Sequence, residues 1–192
     1  MKRLFSRPLI MLLVPVHLLL SACIPDSKFP LPAPADGKGD DRLIGRWVGV
    51  EKDEKGYADI SSAGGGRYLV RIVDEPDNEE ARYEILTTSI RGRWYMSMLL
   101  VGRAEDTVPK TLPYMIASYD ISTEGILSIR LMSWEALAED VRAGRVAGEV
   151  ESGEHWDDVL LIDESEVLAD YVVAADPERI FNGISLAAMR RP

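Results

Sequence analysis

Apolar and polar residues alternate with a period of two along much of residues 42 to 132, a pattern typical of half-buried β-strands. The alternation is clearest over residues 68–73 and 83–88. Further strands are predicted over residues 43–51, 94–101, 114–119 and 126–132. Turns are expected at residues 74–80, 91–92 and 122–125, and a loop at residues 57–66, which end in three glycines. The pattern predicts a meander of about six antiparallel strands.

After residue 132 the apolar spacing changes to that of an α-helix. Ser133 is a candidate N-cap for this helix, and Gly144 is typical of a helix end. Between them, Trp134, Leu137 and Val141 lie on one helical face. The first helix is therefore expected to pack this face against the sheet.

A second helix is predicted to begin with a capping box formed by Asp163 and Glu166 and to end at Asp176-Pro177. Short strands are expected over residues 159–162 and 183–189. The fold class predicted from these patterns is α+β. It combines an antiparallel, strongly curved or barrel-like sheet of about six to eight strands with two helices in the C-terminal half.

The N-terminus has the three parts of an export leader. Basic residues within the first seven positions precede an apolar run over residues 9–20, and the small residues Ser21 and Ala22 follow. The run is shorter than the about 20 residues that a transmembrane helix needs, and Pro15 interrupts it. A cleaved signal peptide over residues 1–22 is therefore expected instead of a retained helix.

The end of the leader, Leu20-Ser21-Ala22-Cys23, resembles the lipobox of bacterial lipoproteins. The resemblance implies cleavage before Cys23, the chain's only cysteine, and attachment of lipid, palmitate included, to that residue. It also implies a membrane location outside the cytoplasm. Ile24 after the cysteine favours the periplasmic face of the outer membrane, with the inner membrane and the cell surface as alternatives. An ordinary secretory signal with a coincidental cysteine is the competing interpretation.

Residues 24–41 are rich in proline, glycine and aspartate, a composition typical of extended linkers. We expect Cys23 and the residues up to 41 to form a lipidated tether that holds the domain away from the bilayer. Neither an internal repeat nor a second linker follows in the sequence. Residues 42–192 are therefore predicted to form a single globular domain.

The acidic composition narrows the range of partners. The chain has a formal net charge of −10, and loss of the leader, which carries three basic residues and no acids, makes it more negative by three. This charge opposes binding to nucleic acid, whose phosphates require lysine and arginine. It also opposes lying flat on anionic lipid. A basic partner is compatible with it, although a solvated acidic surface is a sufficient explanation.

Candidate catalytic groups are few. His155 is the only histidine after the leader, and a lipidated Cys23 offers no thiol, so a Cys–His pair is excluded. The sequence also lacks a Gly-x-Ser-x-Gly elbow. We therefore predict that the protein is not an enzyme and that it uses no cofactor.

One polar cluster and one aromatic set are candidate binding residues. His155 and its acidic neighbours could bind a divalent cation, but their spacing matches no metal motif, so we predict no metal site and a solvent-exposed loop. The acidic neighbours are Glu149, Glu151, Glu154, Asp157 and Asp158. Aromatic residues on the predicted strands could line a ligand pocket, although at this spacing they are also typical of a core. This set is Trp47, Trp94, Tyr95, Tyr114 and Tyr119.

The domain is similar to a group of uncharacterised bacterial lipoproteins across most of residues 42–190. The similarity rests on three motifs: Gly45-Arg46-Trp47, Gly92-Arg93-Trp94-Tyr95, and Ser165-Glu166-Val167-Leu168 followed by Phe181. It implies no activity. Gly45-Arg46-Trp47 also resembles the first strand of lipocalins, although the Thr-Asp-Tyr signature of that family is absent.

Two functions are expected from these features. The first is a membrane-anchored periplasmic lipoprotein that acts as a non-enzymatic binding or envelope-accessory module, with an envelope protein as its partner and no role for nucleic acid. The alternative is a carrier of an apolar ligand or lipid in a lipocalin-like curved sheet.

Overall fold

The structure is a computed structural model, and it describes residues 24–50, 56–74, 79–103, 113–154, 156–183 and 185–192. The predicted leader, Cys23 and His155 lie outside the described residues. Among the helices of the described ranges, none combines the length and apolarity that crossing a bilayer requires.

Within the described ranges, eleven strands form one sheet. They are β1 (Asp26–Ser27), β2 (Gly45–Gly49), β3 (Gly56–Gly64), β4 (Arg67–Asp74), β5 (Glu79–Ile90), β6 (Arg93–Arg103), β7 (Tyr114–Ile121), β8 (Ile126–Leu131), β9 (Gly148–Ser152), β10 (Asp157–Leu161) and β11 (Ser185–Arg190). The helices are α1 (Trp134–Arg142), α2 (Ser165–Ala174) and α3 (Pro177–Ile180), and a 3-10 turn covers Asp41–Leu43.

Eight of these strands close into an antiparallel barrel. The order around the wall is β6-β5-β4-β3-β2-β11-β8-β7, and pairing of β6 with β7 completes the ring. The predicted barrel-like antiparallel sheet is thus confirmed. The predicted number of strands is too low, because three strands lie outside the barrel wall, and the described chain has a third short helix.

The three additional strands extend the sheet sideways from β7. β1 pairs antiparallel with the first residues of β7 and parallel with β10, and β10 pairs antiparallel with β9. Asp26 therefore lies between Met115 of β7 and Leu160 of β10. α1 packs on the β9–β10 hairpin and contacts α3, so a helical layer covers this extension.

The pleat of the barrel strands separates two apolar cores, because successive side chains point to opposite faces. The inner cluster fills the barrel with Leu43, Trp47, Ala58, Ile60, Tyr68, Val70, Ile85, Met96, Met98, Ala117, Tyr119, Leu127, Ile129 and Leu131. The outer cluster lies between the wall and the helices and includes Leu31, Tyr95, Ile116, Leu137, Leu168, Ile180 and Phe181.

Residues 24–41 pack on the barrel, so the prediction of a free tether is wrong for this segment. Leu31 is buried in the outer cluster, and its N–H donates to Ser97 Oγ of β6 at 2.9 Å. The Thr88 hydroxyl of β5 donates to the carbonyl of Pro32. Proline and glycine disfavour regular secondary structure, but they do not prevent packing once Leu31 supplies an apolar anchor.

The sequence correctly located β4 to β8, the turn at Arg91-Gly92, and α1 with Ser133 as its N-cap. Residues 57–66 were predicted as a loop, but residues 57–64 form most of β3. The strand was missed because its inward residue Ala58 is small and its exposed end, residues 61–63, has no large apolar side chain. β9 was also missed, since only Val150 among its five residues is a large apolar side chain.

The predicted capping box at the second helix is also wrong. α2 begins after Glu164, which makes no side-chain cap, and the Asp163 carboxylate accepts the Ala147 N–H at 2.7 Å instead. The predicted end is confirmed, because α2 ends at Ala174, just before Asp176-Pro177. Pro177 then begins α3, with Asp176 as its N-cap. Proline suits this first helical position because its missing N–H would have no partner there.

Candidate functional site

The candidate site is a groove on the outer face of the barrel, between strands β6 to β8 and helix α3. Its volume is about 380 Å3. Its lining includes Tyr95, Ser118, Arg130 and Phe181. Tyr95 lies opposite Ser118 on β7, and Ser118 lies opposite Arg130 on β8, so these outward side chains form one row across three strands. Ser118 is small, so the groove floor is low between the longer side chains of Tyr95 and Arg130.

Charged side chains form the rim of the groove. Arg93 Nη1 lies 3.1 Å from Oε1 of Glu178, and Arg130 Nη1 lies 3.8 Å from Oε2 of the same carboxylate. All three side chains are more than half exposed. Asp120 also lines the groove and lies opposite Ser128. The two arginines therefore share one solvent-exposed carboxylate.

An aromatic pair forms the apolar side of the groove. The ring centroids of Tyr95 and Phe181 are 5.2 Å apart, and both side chains are buried in the outer cluster. Burial raises the pKa of the Tyr95 hydroxyl, which favours its neutral form. The groove thus combines an aromatic side with a rim of two arginines and two carboxylates, and aromatic residues and arginine are enriched in protein-binding surfaces.

The structure distributes the five aromatic residues predicted to line a pocket between the two faces of the barrel wall. Trp47, Trp94 and Tyr119 lie on the inner side, and Tyr95 lies on the outer side. Tyr114 is half-buried at the start of β7, opposite Ser27. Trp94, Tyr95 and Tyr119 all contribute atoms to the groove lining, whereas Trp47 and Tyr114 do not. The chain therefore does not bring the five together in one pocket.

The inner side of the barrel is occupied by large side chains. Trp47 and Tyr68 are almost fully buried there, and the Trp47 indole N–H donates to the Leu43 carbonyl at 2.7 Å. The rings of Trp94 and Tyr119 pack in a tilted arrangement, with their centroids 6.2 Å apart. These side chains leave the groove on the outside as the better candidate site for a ligand.

A polar plug closes the end of the barrel that carries the β5–β6 and β7–β8 turns. Asp40 is buried at this end, where it accepts two hydrogen bonds from the Arg42 side chain at 2.7 and 2.8 Å and one from Tyr119 at 3.2 Å. Burial and the nearby Asp40 charge raise the pKa of Tyr119. Burial and the charge of Asp41 raise the pKa of Tyr68 to about 12. Both phenols therefore stay neutral, which suits a structural role.

A second buried carboxylate, Asp140 of α1, connects the three helices by hydrogen bonds. It accepts hydrogen bonds from Tyr171 of α2, from Arg179 of α3, and from Arg145 at 2.6 and 2.8 Å. Burial acts to raise the pKa of Asp140, but these hydrogen bonds outweigh it, and the pKa lies below its ordinary value. Within the described residues, each buried side-chain nitrogen or oxygen atom has a hydrogen-bond partner. The Asp140 cluster is therefore a structural network with no free position for a ligand.

Asp26 on β1 carries an unusual carboxyl group. Burial, together with the charge of Asp158 on the neighbouring strand, raises its pKa to about 6. Within the described ranges, no group of three or more histidine, cysteine, aspartate or glutamate side chains has an arrangement suited to a metal ion. His155 lies outside those ranges, so its predicted place in a solvated loop stays a prediction.

The groove's charged residues were not singled out from the sequence. Arg93 belongs to the motif Gly92-Arg93-Trp94-Tyr95, but the neighbours of Arg130 and Glu178 in the sequence do not distinguish these two residues. The three lie on β6, β8 and α3, and only closure of the barrel and the docking of α3 bring them together. The one signal that could have indicated Arg130 is the alternation over residues 127–131, which puts Ser128 and Arg130 on the polar face of the strand.

Comparison with known proteins does not assign the chain to a family. No protein-family model matches this chain, and no curated protein or solved structure matches it either.

Proposed function

We propose that this protein is a lipid-anchored, non-enzymatic binding module of the bacterial envelope. Lipid on Cys23 holds it at the periplasmic face of the outer membrane, and the groove between β6–β8 and α3 binds an envelope protein. The leader and the lipobox-like Leu20-Ser21-Ala22-Cys23 support the location. The geometry of the groove supports the binding role.

The observation that carries the binding role is the shared carboxylate of Glu178. Two exposed arginines already hold a carboxylate here, beside the aromatic wall of Tyr95 and Phe181. A glutamate or aspartate of a partner can take the place of Glu178, because Arg guanidinium groups bind carboxylates in the same way across an interface. The groove therefore fits an acidic segment of a partner that also presents an apolar side chain.

The filled barrel favours this module over the alternative, a carrier of an apolar ligand. A carrier needs an apolar cavity that encloses most of the ligand. Here Trp47, Tyr68 and Leu127 occupy the inside of the wall and contact other apolar side chains. A ligand of the size of an acyl chain would have to displace several of them.

Photo-crosslinking in intact cells tests the proposed site. A photoreactive residue at Ser128, on the groove floor, should give one adduct of defined mass with an envelope protein. The same residue at Ser62, exposed on β3 at the opposite wall of the barrel, should not give that adduct. The adduct should disappear when Arg93→Gln and Arg130→Gln are combined.

The matched control is Arg67→Gln on β4, which removes an exposed arginine with its own glutamate partner outside the groove. It should leave the adduct intact. Equal adducts from Ser128 and Ser62, or an adduct that survives the double arginine substitution, would contradict the groove as the binding site.

A further inference from the structure

The residues that follow Cys23 are fixed to the folded domain. Ile24 packs against the inner cluster, and Pro25 is buried. Asp26 and Ser27 are paired on both sides, with β7 and with β10. The Lys28 N–H then donates to the Leu161 carbonyl at 2.8 Å. Every residue from 24 to 28 is therefore held by the barrel or by its extension.

Covalent geometry limits how far Cys23 can lie from this held segment. The Cα atoms of consecutive residues joined by a trans peptide are about 3.8 Å apart. The free linker that the proline content predicts would have reached on the order of 50 Å. Replacing it with a packed segment removes nearly all of that reach.

We infer that lipid on Cys23 mounts the barrel directly on the bilayer, with the side formed by β1, β7 and β10 toward the lipid headgroups. This inference rests on the proposed lipidation of Cys23. The ring order places β3 four strands from β7 in either direction, so the β3 wall is the side that faces away from the membrane.

The attachment of the barrel to the bilayer determines how far the groove lies from the membrane. Ser118 on the groove floor lies three residues along β7 from Met115, the residue opposite Asp26. Three residues of a β-strand span about 10 Å. The groove therefore lies close to the anchored edge, and a partner that binds in it must itself lie at the membrane surface. A partner deep in the periplasm would be out of reach.

Energy transfer to the bilayer tests the mount in the full-length lipidated protein, reconstituted in vesicles of phosphatidylethanolamine and phosphatidylcholine that carry an acceptor dye. These lipids have no net charge, so they do not repel the acidic β9–β10 hairpin. Because Cys23 would be a thioether, an introduced cysteine is the only free thiol for a donor dye. Asp158→Cys places the donor on β10, which pairs with β1, and Ser62→Cys places it on the far wall. Both positions are exposed.

Transfer from position 158 should exceed transfer from position 62 several-fold. Insertion of a flexible Gly-Ser linker of on the order of ten residues between Cys23 and Ile24 should abolish this difference, because the barrel would then tumble. Equal transfer from both positions without the linker, or a difference that the linker leaves unchanged, would overturn the mount.

Failure of the anchor itself gives a different result. A Cys23 that reacts with maleimide in protein that does not float with the vesicles would overturn the lipidation and the mount together. Protein that floats with the vesicles, keeps Cys23 unreactive and shows equal transfer would overturn the mount alone.

Discussion

The backbone N–H of Leu31 donates to the hydroxyl of Ser97 at 2.9 Å, and both residues are almost fully buried. The two lie 66 positions apart in the chain. This contact fixes the proline-rich segment on the outer face of β6. It makes the segment part of the folded domain.

Ser97→Ala should lower the free energy of unfolding by about 1 to 3 kcal/mol, because the buried Leu31 N–H loses its acceptor. Urea unfolding followed by tryptophan fluorescence measures the change. Ser61→Ala, at an exposed position of β3, is the matched control and should leave the midpoint unchanged. Equal midpoints for the two variants would show that the segment contributes nothing to stability.

Asp140→Asn should lower the free energy of unfolding more, by about 2 to 4 kcal/mol. The substitution removes the charged acceptor that Tyr171, Arg145 and Arg179 share. Glu139→Gln, one residue earlier and mostly exposed, should cost under about 1 kcal/mol although it also contacts Arg145. Thermal unfolding of both variants tests this order, and a reversed order would contradict the structural role of Asp140.

The same carboxylate predicts a loss of stability in acid. The pKa of Asp140 is lowered in the folded protein, so the unfolded chain binds its proton more readily. The contribution of Asp140 is present above the ordinary pKa of 3.8 and should be lost as pH falls through the folded value. The difference in stability between the wild-type chain and Asp140→Asn should therefore shrink below about pH 4.

Asp26 should have the opposite pH dependence. Its pKa rises from 3.8 to about 6 on folding, so the folded protein binds the proton more tightly and stability decreases as pH rises from about 4 to about 6. Asp26→Asn should thus stabilise the protein at pH 7 and have little effect at pH 3.5. Urea midpoints at both values test this, with the exposed Asp170→Asn as control. A stabilisation that is equal at both pH values would be incompatible with the proposed titration.

Arg93→Gln and Arg130→Gln should separate stability from binding. Their ion pairs with Glu178 are exposed, so each substitution should change the free energy of unfolding by less than about 1 kcal/mol. Binding of the proposed envelope partner should weaken at least tenfold when both are combined, since two charge-assisted hydrogen bonds are lost. Cooperative unfolding together with unchanged crosslinking from Ser128 would exclude the arginines from the binding site.

The sequence was informative where burial on one face imposes a regular alternation. Tyr68 and Val70 point into the barrel while Leu69 and Arg71 point out, and β4 was found from that pattern. β3 was missed because Ser61, Ser62 and Ala63 at its exposed end lack large apolar side chains. Its pairing with β4, and not its own propensity, holds it in the sheet.

The groove could not be predicted because its residues come from distant parts of the chain. Arg93 and Glu178 are 85 positions apart, and no local pattern links them. The packed N-terminal segment was missed for a related reason. Its proline content is typical of a linker, but the acceptors that hold it, Ser97 and the Leu161 carbonyl, lie on β6 and β10.

Metabolic labelling with radioactive palmitate tests the central claim of a lipid-anchored barrel most directly. The wild-type protein should be labelled and should sediment with membranes, whereas Cys23→Ser should be unlabelled and should leave the membrane fraction. An unlabelled wild-type protein, or a Cys23→Ser variant that stays with the membranes, would contradict the account.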